Sequence, residues 1–177
     1  MNELMGNDFY RDKPLWGTTV TWKTVNRNLD DLIRLYRPKL SRAVALARDV
    51  QIGLESIFSL LDDLCAVTCP WCPDHCCLTA KVWIDFKDLL FLHLNGHQVP
   101  SAQPLSSLKK TCSYWSLRGC LLPRIARPWV CTWYLCPTQM ANLRQKPKSV
   151  KENFNRAIQA IKTGRKEMES EFIRIVS

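Results

Sequence analysis

Residues 40–64 read LSRAVALARDVQIGLESIFSLLDDL, and they place Leu40, Ala43, Ala47, Val50, Leu54, Ile57, Leu61 and Leu64 at alternating steps of three and four. Such steps line up one apolar seam along a helix and leave the opposite face to charge. Upstream the same pattern runs back through Tyr36, Leu32 and Leu29. Asn28 stands where an N-cap belongs, and Asp30 and Asp31 suit the positive end of a helix dipole. The spacing therefore predicts a long helix over 28–64. Pro38 should kink it early or split off a first short helix.

A second seam closes the chain. Phe154, Ile158, Ile161, Arg165, Met168, Phe172 and Ile175 alternate steps of four and three, with one basic residue interrupting the stripe. Ser149 and Glu152 have the spacing of a capping box, so a helix is expected over 149–176. Two such stripes need covering, and antiparallel pairing of 149–176 with 28–64 covers both. Residues 1–27 are mixed in composition and read as an N-terminal arm with a short extended segment around Val20 and Trp22. The expected fold is mainly α: two long antiparallel amphipathic helices with a small cysteine-rich metal-binding domain, residues 65–140, inserted between them.

Within that insertion, Ile84 to Leu94 reads as a short helix stopped by Asn95-Gly96. Residues 97–111, with two prolines and several serines, read as a loop. Eight of the nine cysteines fall in short groups here, with Cys65 just ahead of them: Cys69, Cys72, Cys76 and Cys77, then Cys112, Cys120, Cys131 and Cys136. Thiolates grouped in this way favour zinc or an iron–sulfur cluster, because sulfur is a good donor to soft and borderline metals. All eight are candidate ligands. The adjacent pair Cys76-Cys77 leaves open a cluster, two metals, or one ligand beside one structural thiol, because successive side chains diverge. His75 is an alternative ligand or a turn residue, and His93 and His97 read as structural. Cys65, next to Leu64 on the helix end, reads as a buried apolar thiol. The five tryptophans from Trp71 to Trp133 are expected to shield the metal from water.

Charge is unevenly placed. The chain has 177 residues, 46% of them apolar, and a formal charge of +9. Between Asp88 and Glu152 there is no acidic residue. The stretch 109–151 thus suits either an anionic partner such as nucleic acid, or local compensation for the roughly −2 charge left by four thiolates on one zinc. No apolar stretch follows a basic start, and the run Leu89 to Leu94 is too short to span a bilayer. A cytoplasmic, reducing location without membrane insertion is the expectation, and in it cysteines serve metals more readily than disulfides. No Ser-His-Asp set, phosphate loop or glycine-rich dinucleotide turn is present, so enzymatic activity is left open rather than indicated.

The cysteine groups resemble the bacterial YkgJ-type family of zinc- or iron-chelating domains. The elements that carry the likeness are Cys72 to Cys77, Ile84-Asp85-Phe86-Lys87-Asp88, Cys112-Ser113-Tyr114-Trp115, Gly119-Cys120, and Arg127-Pro128-Trp129-Val130-Cys131 running to Tyr134 and Pro137. The likeness covers residues 69–140; Cys136 and the long helices lie outside the signature. It implies metal binding and supplies no reaction. A weaker similarity to the cysteine region of flagellin lysine methylases raises an iron–sulfur-dependent modifying enzyme as one alternative, and a metal-stabilised nucleic-acid or protein interaction module is another. Cys65, Cys69 and Cys72 also have the C-x3-C-x2-C spacing of radical S-adenosylmethionine enzymes. Here, however, that spacing follows a helix, and the alternating strands and helices of a partial barrel do not come after it.

Overall fold

In a computed structural model of the chain, the seam of residues 40–64 forms the central helix. The structure describes residues 16–73, 75–106, 111–117 and 119–177. Seven helices and one small hairpin make up the regular structure of the described residues. They are α1 (Thr19–Tyr36), α2 (Ser41–Thr68), α3 (Cys76–Thr79), α4 (Phe86–Leu94), α5 (Trp129–Trp133), α6 (Pro137–Gln145) and α7 (Lys148–Val176). Strands β1 (Trp115–Ser116) and β2 (Gly119–Cys120) pair antiparallel between α4 and α5. Every seam position from Leu40 to Leu64 is buried.

Pro38 sits in a 3-10 turn, Arg37–Lys39, and separates α1 from α2. Of the two outcomes expected at Pro38, a kink or a separate first helix, the second is found, and α1 begins well before Asn28. This corrects the extended reading around Val20 and Trp22; the rest of the arm, residues 1–15, lies outside the described residues. Thr18 caps α1, its hydroxyl accepting from Thr21 N at 3.1 Å while Thr21 Oγ1 accepts from Thr18 N at 3.3 Å. A β-branched run, Thr18 to Val20, argues locally against a helix. Tertiary burial overrides it: Trp22 is 2% exposed and its indole Nε1 donates to Pro100 O at 2.9 Å.

Helix α7 packs along α2. Gly53 faces Ile161, and Gly164 faces Val50, so advancing along one helix means retreating along the other: the pair is antiparallel. Helix α7 starts at Lys148 behind Pro147, without a side-chain cap. Ser149 therefore lies inside the helix instead of capping it. The proline supplies the start by fixing φ at a position where no amide donor is needed.

Helix α4 is apolar nearly all round, with Leu89, Leu90, Phe91, Leu92 and Leu94 buried. A helix of that character belongs inside a core. It packs against α1, α2 and α7. Asp85 caps it through a reciprocal box with Asp88, and Gly96 at φ 67° ends it. Gln103 holds the approach to α4, its amide oxygen accepting from Ile84 N at 2.8 Å and its nitrogen donating to Ile84 O at 2.9 Å. One hydrophobic cluster draws residues from α1, α2, α4, α6 and α7. The segment carrying most of the cysteines is thus anchored in the same core as the long helices.

Candidate metal centre

Cys65 lies in the last turn of α2 and Cys69 is the C-cap residue just beyond it, still in helical conformation, so their spacing of four puts both side chains on one face. Thr68, between them, turns its hydroxyl back to Leu64 O at 2.7 Å. A hydrogen bond between the two thiols is the largest influence on each. That bond from Cys69 lowers Cys65 to about 5, against the opposing effect of burial and with help from the Arg124 guanidinium. The same bond pushes Cys69 strongly up. Gln139 Nε2, on α6, stands 3.4 Å from Cys65 Sγ and 3.8 Å from Cys69 Sγ. Arg124 Nη2 stands 3.8 Å from Cys65 Sγ and is itself held by Asp62.

A second group of thiols lies at α3, the hairpin and α5. Cys76 and Cys77 open α3, with His75 at the N-cap position. The hydrogen bond from Cys77 lowers Cys76 to about 7, and the same bond raises Cys77. Charge on Cys131 and Cys120 raises Cys77 further. Cys120 sits on β2 opposite Trp115. Cys112 is raised by burial and then by Cys120. Cys131, on α5, is an exposed residue whose thiol is nevertheless raised, by desolvation first and then by Cys120, Cys112, Asp88 and Cys76. Five thiols from three stretches of chain therefore share one electrostatic neighbourhood, and Cys76 lies within reach of the charge on Cys65 and Cys69 as well.

Cys72 follows the 3-10 turn Cys69–Trp71, its N–H donating to Cys69 O at 3.2 Å. Cys136 opens α6, its N–H donating to Gln139 Oε1 at 3.3 Å. Among the described residues no disulfide is formed. Nor do any three of His, Cys, Asp and Glu stand close enough to share an ion. The donor chemistry suits a soft metal, but among the described residues the eight candidate ligands do not converge on one site. Near the second group, Trp115 Nε1 is buried without a hydrogen-bond partner, and the indole ring packs edge-on to His75 at 5.9 Å. A stranded N–H beside gathered thiols is a donor in search of an acceptor.

Arg165, the residue that interrupts the C-terminal stripe, is 3% exposed and fastens α7 to this region. Its Nη1 reaches Asp88 Oδ1 at 2.8 Å and its Nη2 reaches Asp85 Oδ1 at 3.1 Å. The guanidinium also lies over the Trp129 ring, 5.5 Å from the centroid. Asp88 Oδ1 accepts from Trp129 N at 3.1 Å, two residues before Cys131. Burial raises Asp88 to about 7 against the pull of Arg165. The cavity beside this network is about 10 Å³, room for about one water and no substrate.

Parts of the basic stretch are committed internally. Arg124 pairs with Asp62, Arg127 Nε donates to Leu122 O at 3.1 Å, and Lys151 Nζ donates to Arg144 O at 3.1 Å. Lys109, Lys110 and Arg118 lie outside the described residues. His93 Nε2 meets Asn26 Oδ1 at 3.0 Å and His97 Nε2 meets Gln51 Oε1 at 3.1 Å, so both imidazoles serve as ties between elements.

Three residues escaped sequence reasoning: Cys65 as a polar thiol, and Arg124 and Gln139 as its neighbours. No local signal connects positions 59 and 74 residues apart. For Arg165 a signal existed, since a lone cation on an apolar stripe needs buried carboxylates to face. No family model, curated protein or solved structure matches this chain. No described helix is long and apolar enough to cross a membrane.

Proposed function

We propose that this chain is a metal-binding protein of the cytoplasm, taking zinc or iron, including a [4Fe–4S] cluster, through thiolates of the α3, hairpin and α5 segments. The observation that carries this reading is the mutual influence of Cys76, Cys77, Cys112, Cys120 and Cys131. Several thiols close together without disulfides disfavour one another's ionisation, and a cation relieves that cost by replacing the protons. The orphaned indole of Trp115 adds an N–H that a metal-bound sulfur would satisfy. The likeness to YkgJ-type domains rests on the motif residues alone and points the same way.

Ligation would draw these sulfurs inward, to about 2.3 Å from a zinc ion. Binding and ordering of the segment then form one equilibrium. Anaerobic purification followed by metal analysis tests the proposal. Stoichiometric zinc in a colourless protein, or iron with absorption near about 400 nm, is the expected result. Cys131→Ser and Cys120→Ser should each lower that content. A protein purified without either metal, and unable to take one up after reduction, rules the proposal out.

A further inference from the structure

We propose that Cys65 and Cys69 form a separate two-sulfur site for a soft monovalent metal ion of the copper(I) class, with Gln139 and Arg124 donating to the sulfurs. The inference rests on the reading that this chain handles metal through thiolates, and it moves Cys69 out of the zinc or iron ligand set.

Two donors from different elements, Gln139 buried and Arg124 partly buried, converge on the pair. Gln139 is 7% exposed, and the amide N–H of Cys136 occupies its oxygen, so its NH2 end is the one presented to both sulfurs. Arg124, whose side chain is 10% exposed, reaches Cys65 Sγ while Asp62 fixes its guanidinium. N–H groups aimed at sulfur favour the thiolate, which is the form that binds metals. An ordinary buried thiol needs no such partners.

Coordination number selects the ion. Among the described residues no third His, Cys, Asp or Glu completes a site here. Zinc in a structural site calls for four ligands, whereas a soft d10 monovalent ion is satisfied by thiolates in smaller number. Side chains four apart on a helix have Cβ atoms about 5–6 Å apart. Two sulfurs so placed can flank one ion. A disulfide instead needs Cβ atoms about 3.8 Å apart, which would unwind the last turn of α2.

The test uses the full chain, reduced, anaerobic and preloaded with zinc so that the thiols of α3, the hairpin and α5 are occupied, with copper(I) supplied against a competing bicinchoninate chelator. The expected result is one copper(I) retained per chain, with a near-ultraviolet thiolate-to-copper band and a sulfur-only, two-coordinate X-ray absorption signature. Cys65→Ala and Cys69→Ser, with helical circular dichroism unchanged, should each abolish retention. Gln139→Leu should weaken it by about 10- to 100-fold. Cys120→Ser and Cys131→Ser should keep the copper while lowering zinc or iron content, so the two readings fail separately. Retention in Cys65→Ala, no retention in the parent chain, or a three- or four-coordinate signature overturns the proposal.

Discussion

Removing the guanidinium of Arg165 would strand Asp88 in the core with its principal counter-charge gone. Breaking a buried pair from one side costs about 3–5 kcal/mol, so Arg165→Leu is expected to destabilise the protein by that amount at pH 8. The pH dependence has a definite sign. Burial already holds the folded Asp88 well above an ordinary carboxyl, and loss of the opposing cation raises it further. A carboxyl raised by folding favours the folded state below its unfolded pKa and loses that contribution as pH climbs through the folded value. The deficit of Arg165→Leu should therefore be smaller at pH 5 than at pH 8, and Arg165→Leu with Asp88→Asn should recover part of it. Urea unfolding at the two pH values measures both. An equal deficit at each would mean that the charge on Asp88 is not what the guanidinium balances.

At the scale of elements, the contact between α2 and α7 turns on two glycines placed where the helices approach most closely. A Cβ on Gly53 would lie 2.8 Å from Ile161 Cγ1, and one on Gly164 would lie 3.0 Å from Val50 Cγ2. Alanine gains about 1 kcal/mol of helix propensity over glycine, while overpacking a tight contact costs about 1–3 kcal/mol. Gly53→Ala is expected to be net destabilising by about 1 kcal/mol, and Gly164→Ala to cost less. Equal or greater stability for Gly53→Ala in chemical denaturation would show that the helices part readily. The sequence made the seams legible because burial repeats every three or four residues: all eight positions from Leu40 to Leu64 are buried. It hid α1, whose start is β-branched and whose fixing contact, Trp22 to Pro100, spans 78 residues. It hid α6 as well, a nine-residue helix with a weak apolar pattern that begins at Pro137. The thiols could be counted from spacing, but which of them meet Arg124, Gln139 or the distant Cys131 depends on tertiary placement, and spacing carries none of that.

Across the whole molecule, the division between helical scaffold and cysteine-rich segment does not follow the boundary at residue 65. Helix α4 lies within the stretch between Cys77 and Cys112, yet it packs with α1, α2 and α7. Its Leu89 and Leu90 are fully buried. Beyond it, β1, β2 and α5 are two to five residues long and have few buried apolar side chains. Local stability follows buried contact, so these parts should open at lower free energy than the core. Hydrogen exchange on the protein before and after chelation and thiol alkylation separates them. Amides of 112–136 should lose protection, while those of α2, α4 and α7 keep theirs and the helical circular dichroism largely persists. Should α4 exchange together with the hairpin and α5, the core shared by α1, α2, α4 and α7 would not be the unit that holds the chain together, and the thiols would be supporting the helices rather than resting on them.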